Sequence, residues 1–316
     1  MLVFVTLDRL GGTYVEQVIA RQRGTDFSSV AIRLFGYCFI GLFAIFCLVP
    51  FLLVLGTSFT AEKSITLHGY NLWPKEFSTF AYKIVFENPG VIIGSYGVTL
   101  GITLIGTTIG LFIVAMTGYS LQRPDFPYRN RISFFIYFTT LFQGGVVPFY
   151  LIMTQWLHLK DNYLAVLLPG LMSPFLIIMM KSFVRSIPHA ITESAKMDGA
   201  GDFKIFTKLI LPMTTPALAT IGLFIALGYW NEWYNAMLFL SPDLKYRPLQ
   251  LFLYNVVTSA DFIKNSSVSS NVQPRDMPLE SMKMATAVVA TGPVILFYPM
   301  VQKYFIQGIT VGAVKG

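Results

Sequence analysis

The chain has 316 residues, of which 54% are hydrophobic and only 12% charged, and its mean hydropathy is +0.61. Polar surface is too scarce to solvate a fold of this size, which excludes an ordinary water-soluble protein. The formal charge of +7 comes from 23 Lys and Arg against 16 Asp and Glu with no dense basic run, so it suits anionic lipid headgroups at a cytoplasmic membrane face and excludes nucleic acid as a partner.

Residues 1–33 read as a cytoplasmic leader. Asp8, Arg9, Glu16, Arg21, Arg23 and Asp26 precede the first long apolar run, which comes too late for a cleavable signal peptide. Leu10, Tyr14 and Val18 share one helical face. That face fits a helix lying in the membrane interface, with a disordered leader as the other reading.

Residues 34–316 read as an all-α, polytopic membrane domain with six transmembrane helices. The apolar stretches are Leu34–Phe59, Val91–Leu121, Ile132–Thr154, Tyr163–Met180, Met213–Trp230 and Met284–Val301. Cys38 and Cys47 lie in the first, nine residues apart, or about 13.5 Å along a helix, which is beyond disulfide reach. With the amino terminus inside, fourteen of the 23 Lys and Arg fall in cytoplasmic segments and nine outside, so both termini are expected to be cytoplasmic.

No Asp, Glu, Lys, Arg or His falls within the cores of these stretches. A proton- or sodium-coupled carrier needs an ionisable group there, so ion coupling is disfavoured. Pro148, Pro169, Pro174, Pro216, Pro293 and Pro299 are expected to kink helices, and Gly97/Gly101 and Gly106/Gly110 to let helices approach closely. The outer segments Thr60–Gly90 and Asn231–Lys283 are long, and the Ser/Asn-rich run Lys264–Asn271 reads as a mobile tip.

The inner loop at residues 181–212 is long and well punctuated for a connector. Ser186 before Ile187 and Pro188 reads as a helix start. Asp198 and Gly199 punctuate that helix, with a possible positive φ at Gly199 where the chain reverses, and Asp202 is placed to cap a second helix whose Phe203, Phe206 and Ile210 share one side. Helix, tight turn, helix under the membrane is the expectation.

Glu193, Ser194, Ala195, Asp198, Gly199, Ala200, Leu209, Leu211 and Pro212 in this loop resemble the EAA loop of ABC-importer permeases: E-A-A, three residues, G, nine residues, I, one residue, L-P. Ser194 stands for Ala and Leu209 for Ile. The wider chain is similar to the MalG side of carbohydrate importers, nearest the oligosaccharide and complex-glycan branch. The likeness rests on Leu72-Trp73-Pro74, Tyr82, Phe86-Glu87-Asn88-Pro89, Gly144-Gly145 with Pro148, Trp230-Asn231-Glu232-Trp233, and Gln302-Lys303-Tyr304-Phe305 through Gly312-Ala313-Val314-Lys315-Gly316.

The resemblance implies a bacterial inner-membrane, multi-pass permease subunit that performs no bond chemistry. Its implied partners are a second permease subunit, two cytoplasmic ATPase subunits, an extracytoplasmic solute-binding protein that delivers a carbohydrate, and membrane lipid. Glu193, Ser194, Ala195, Asp198, Gly199, Ala200, Leu211 and Pro212 would form the coupling loop gripped by an ATPase, and the tail at residues 302–316 would reach toward the same interface. The chain contains no G-x-x-x-x-G-K-[ST], so no cofactor is expected on it, and ATP and Mg are used by the partner ATPases.

Sugar passage calls for aromatic platforms beside amide and hydroxyl partners. Tyr229, Trp230, Asn231, Glu232 and Trp233 supply both, and read either as substrate path or as an interfacial aromatic belt. Gln143 is a second polar interruption that either meets substrate or bonds a neighbouring helix. Other function classes remain as alternatives: a permease for another small solute, a secondary sugar carrier, or a membrane enzyme. The last is disfavoured because no H-E-x-x-H occurs and His68, His158 and His189 lack metal-ligand spacing.

Overall fold

The computed structural model describes residues 27–270, 278–293 and 295. The proposed interfacial face of Leu10, Tyr14 and Val18, most of the last apolar stretch beyond Pro293, and the tail 302–316 lie outside the described residues. Among the described residues two helices are long and apolar enough to cross a membrane alone: α1 (Phe27–Ser58), which meets that test over Val30–Ser58, and α4 (Pro89–Gln122). Between them lie the short α2 (Glu62–His68) and α3 (Phe80–Val85).

The next three apolar stretches are bent pairs rather than single rods. Helix α5 (Arg129–Leu141) meets α6 (Val146–Trp156) at 114°, α7 (Leu164–Gly170) meets α8 (Pro174–Arg185) at 41°, and α10 (Asp202–Met213) meets α11 (Thr215–Trp230) at 85°. The chain thus holds up to five candidate spans among the described residues if each bent pair counts once. Proline explains where two of the second segments begin. Pro174 opens α8 and Pro216 is the second residue of α11, positions where a missing N–H costs no helical hydrogen bond. At the sharpest bend, Gln143 sits exposed in the break and Gly145 adopts φ +85°, so Gln143 belongs to a helix junction rather than to a continuous span.

Helices α12 (Tyr234–Phe239) and α13 (Leu249–Ser270) follow α11. A last helix, α14, covers 279–293. The backbone expected to form a mobile tip from Lys264 instead continues α13 as far as Ser270, while Asn271 lies outside the described residues. The carboxylate of Glu62 accepts hydrogen bonds from the backbone N–H groups of Glu280 (3.0 Å) and Ser281 (3.1 Å). It satisfies first-turn donors of α14 from a distant part of the chain, as a local capping residue would.

The core lies where α4, α8, α10 and α11 converge, around Val114, Ile177, Met180, Ile205, Phe206 and Ile221. Tyr229 locks its outer side. The ring is only 5% exposed, and its hydroxyl donates to the Leu167 carbonyl at 2.7 Å. A Cβ at Gly106 would stand 2.4 Å from the Tyr229 ring, and one at Gly170 would stand 2.8 Å away. Gly106 and Gly170 therefore form a notch that only glycine leaves open, and Gly110 likewise lets the Leu171 backbone close in. Gly97 and Gly101 have nothing within 4 Å among the described residues, where Gly106/Gly110 is the pair that packs against other elements. Helix α1 is similar: its apolar window is 0% buried, and Cys38 and Cys47 are free and exposed on it.

The notch yields a paired test on the purified chain in detergent. Gly106→Leu forces the Tyr229 ring out, an overpacking cost of about 1–3 kcal/mol, and lowers the melting temperature by several degrees, whereas Gly97→Leu leaves it unchanged.

Candidate functional site

The inner loop folds as a surface helix, α9 (His189–Met197), held between the end of α8 and the start of α10. Ser186 does not start it. The Ser186 hydroxyl donates to the Phe183 carbonyl at 2.7 Å and closes α8, because with the first helical residue at His189 the N-cap position falls on Pro188. Ser186 is then two residues too early for its oxygen to serve the free amides of the first turn.

The other end is a Schellman reversal. Ala200 N–H donates to the Ala195 carbonyl at 2.9 Å, Gly199 N–H donates to the Lys196 carbonyl at 3.0 Å, and Gly199 has φ +77°. No atom lies within 4 Å of a Cβ built at Gly199. Glycine is required there by backbone conformation and not by space. Ala195 and Ala200 pack against the main core, as does Leu211. Glu193, Ser194, Asp198 and Pro212 are exposed. The Glu193 carboxylate lies 3.0 Å from Nδ1 of His189, one turn earlier on the same helix. Met197 is 84% exposed and Phe203 64%, so α9 and the start of α10 offer large apolar side chains beside the carboxylate. The apolar tip at Met197 is not among the loop residues that the resemblance singles out.

A charge network ties this helix to the inner end of α4. Arg123, the residue after α4, reaches Asp202 at 2.7 Å through Nη1 and grips Asp125 through both Nε and Nη2. Lys196 of α9 bonds Asp125 at 2.6 Å and stands 4.0 Å from Asp202. Asp202 is therefore a first-turn residue of α10 turned toward a guanidinium, and Gly201 occupies the cap position. The hydrogen bond from Arg123, followed by that from Lys196, holds the Asp125 carboxyl below the usual carboxylate range, and the two aspartates push the Arg123 guanidinium upward. The stabilisation linked to the lowered Asp125 value is present at neutral pH and is lost as pH falls through the folded-state value. Between the network, α8 and α9 opens a cleft of about 660 Å³ lined by residues including Tyr119, Arg123, Arg185, His189, Glu193 and Lys196.

The outer cluster at the end of α11 divides. Tyr229 and Trp230 are buried, at 5% and 7% exposed, and Tyr229 fills the glycine notch. Asn231 and Trp233 are exposed, and Glu232 turns its carboxylate back to the Asn235 backbone and side-chain N–H groups at 2.8 and 3.1 Å. Gln143, at the α5–α6 break, belongs to a different part of the chain.

Residues 115–311 match the family model described as "Binding-protein-dependent transport system inner membrane component". The chain is 38% identical over 282 residues to the polygalacturonan/rhamnogalacturonan transport system permease protein YtcP of Bacillus subtilis (strain 168), covering 89% of this chain and 96% of that one. It is 31% identical over 278 residues to the arabinooligosaccharides transport system permease protein AraQ of the same organism, covering 87% and 91%. A chain from the crystal structure of a bacterial ABC transporter involved in the import of the acidic polysaccharide alginate is similar with a TM-score of 0.75 and 30% identity, over 89% of this chain and 98% of that one.

Removing the charge of Asp125 isolates the network. Asp125→Asn frees Lys196 and raises amide hydrogen exchange in α9 about fivefold, the scale of one exposed ion pair, while exchange in the middle of α4 stays unchanged.

Proposed function

The chain belongs to the family of binding-protein-dependent transport system inner membrane components, and from that premise we propose that it passes an oligosaccharide across the membrane while an ATPase subunit grips α9. It is an inner-membrane permease subunit of an ABC importer and not an enzyme; ATP hydrolysis belongs to separate ATPase subunits. Membership implies a partner permease, ATPases and a solute-binding protein. Two copies of the ATPase, with ATP and Mg bound there, complete the proposed assembly.

Six crossings are proposed: α1, α4, the three bent pairs and the stretch that begins in α14, with residues 1–33 and 302–316 inside. The distribution of Lys and Arg supports this orientation. In the same reading residues 34–316 form one permease domain, and 181–212 its coupling loop. The oligosaccharide class is supported by the polysaccharides and oligosaccharides that YtcP, AraQ and the alginate importer are named for.

The observation that carries the reading is an α9 that displays Glu193, Ser194 and Met197 to solvent within the matched region 115–311. Glu193 offers an acceptor to cationic or amide donors, Met197 an apolar anchor, and Ser194 a small contact that lets the two backbones approach. Asp198, Gly199 and Ala200 hold the reversal that keeps those groups projecting, and Leu211 and Pro212 carry the loop into α11. Movement of α9 is passed by Lys196 and Asp202 to Asp125 and Arg123, hence to the inner end of α4, and from α4 through the Gly106–Tyr229 notch to α11. Alternating access requires such a chain of stiff contacts between the driven surface and the path.

Glu193→Ala and Gly199→Val, assembled with all partner subunits in proteoliposomes, are expected to cut ATP-driven oligosaccharide uptake about tenfold, the effect of losing one strong interface contact, with the chain still inserted. Uptake at the unsubstituted rate in both variants overturns the docking role.

A further inference from the structure

The outer end of α11 and the outer helix α13 are joined twice, by chemistry that a lipid-facing belt does not need. Trp233 stacks on Tyr254, with ring centroids 4.8 Å apart and planes 20° apart. Gln250, one turn before Tyr254 on α13, donates its amide to the Asn231 side-chain oxygen at 3.3 Å. Asn231 in turn donates to the Leu227 carbonyl at 2.9 Å, which fixes which way its amide points. Both rings remain partly open to solvent, Trp233 at 38% and Tyr254 at 37%. Tyr234 meets Trp233 edge-on at 5.9 Å and is 41% exposed.

A flat aromatic face beside a fixed pair of amides is suited to a pyranose or furanose ring, which presents C–H groups on one face and hydroxyls around its edge. The hydroxyls of a sugar can both donate and accept, as the Asn231–Gln250 pair does. A lipid belt uses the rings as single anchors and has no use for an amide pair locked between two helices. The geometry points to a saccharide-binding platform made by Trp233 and Tyr254, with Asn231 and Gln250 orienting the ring. This rests on the reading of the chain as a carbohydrate permease and adds to it a contact site at the outer end of the path. Gln250 and Tyr254 lie on α13, outside the cluster that the sequence singles out.

Asn231 and Trp233 directly follow α11, the helix that carries the buried Tyr229 lock four residues before Trp233. A displacement of α11 against α13 therefore separates the amide pair and the ring pair together. The platform is intact only while the two helices keep this relation, which makes the site sensitive to the state of the bundle.

The test uses the full importer, with its binding protein and ATPases, in proteoliposomes. The probes are tetrasaccharides of galacturonate, arabinose and mannuronate. Tyr254→Ala and Gln250→Ala are compared with Tyr254→Phe, and both uptake and binding-protein-stimulated ATP hydrolysis are measured at saturating binding protein. The expected result is an uptake rate about tenfold lower in the two alanine variants for the transported probe, ATP hydrolysis within about twofold of the unsubstituted importer, and recovery of uptake by Tyr254→Phe, which keeps the ring. Unchanged uptake in both alanine variants overturns the platform, as does a fall in assembly or hydrolysis equal to the fall in uptake, the result expected of a lipid belt or a subunit interface. Failure of the unsubstituted importer to take up any of the three probes overturns the carbohydrate reading itself and removes the platform with it.

Discussion

Two aspartates and two cations set how the surface helix can act. Asp125 and Arg123 follow the inner end of α4, while Lys196 and Asp202 belong to α9 and α10. None of these ion pairs is strong alone, since each carboxylate is about half exposed and exposed pairs stabilise by at most about 1 kcal/mol. Their value is geometric. Arg123 holds two carboxylates from different elements, and Lys196 holds one of the same two, so α9 cannot slide along the membrane without carrying the end of α4. Ala195 and Ala200 packing on the core prevent it from lifting away. In the proposed coupling role, a helix held on two sides acts as a lever; the same helix on a slack loop would only move itself.

The rest of the bundle extends this stiffness outward. Helix α4 meets α11 at a point where a side chain larger than hydrogen cannot fit, and Tyr229 closes the gap with its ring and its bond to Leu167. In a bilayer, where apolar burial between helices supplies little drive, such close packing and a satisfied hydroxyl are what bind two helices together. The residues that continue from that lock, Asn231 to Trp233, reach the outer surface. The proposed handle and the far end of α11 are thus joined by one buried path through α4 and α11, while α1 stays apart from the core with its apolar surface exposed.

Much of this was legible in the sequence where a local rule decides the outcome. Gly199 was marked as a reversal because a helix ending before a glycine favours positive φ, and it has one. The apolar stretches mark where α1, α4 and the three bent helix pairs lie. The bends were not legible: hydropathy counts apolar residues and is silent on direction, so the 114° turn at Gln143 to Gly145 looked like one span with a polar flaw. Ser186 and Asp202 stand near helix starts without capping them: the Ser186 hydroxyl turns back to the Phe183 carbonyl of the preceding helix, and the Asp202 carboxylate meets the distant Arg123. The charge network could not be read at all. Asp125 and Lys196 are 71 residues apart, and nothing in the spacing of charges along a chain says which ones meet. For the same reason Gln250 and Tyr254 stayed unnoticed beside Asn231 and Trp233.

The central claim is that α9 faces the cell interior and is held by a nucleotide-hydrolysing subunit. It is tested most directly by a single cysteine introduced as Met197→Cys, at a site 84% exposed on α9, in a background where Cys38 and Cys47 are replaced by serine. A short bifunctional crosslinker should join this cysteine to the ATPase subunit in membranes, with a yield that changes when ATP is added. Labelling of the same cysteine in intact cells by a membrane-impermeant maleimide, without any ATPase adduct, would contradict the account.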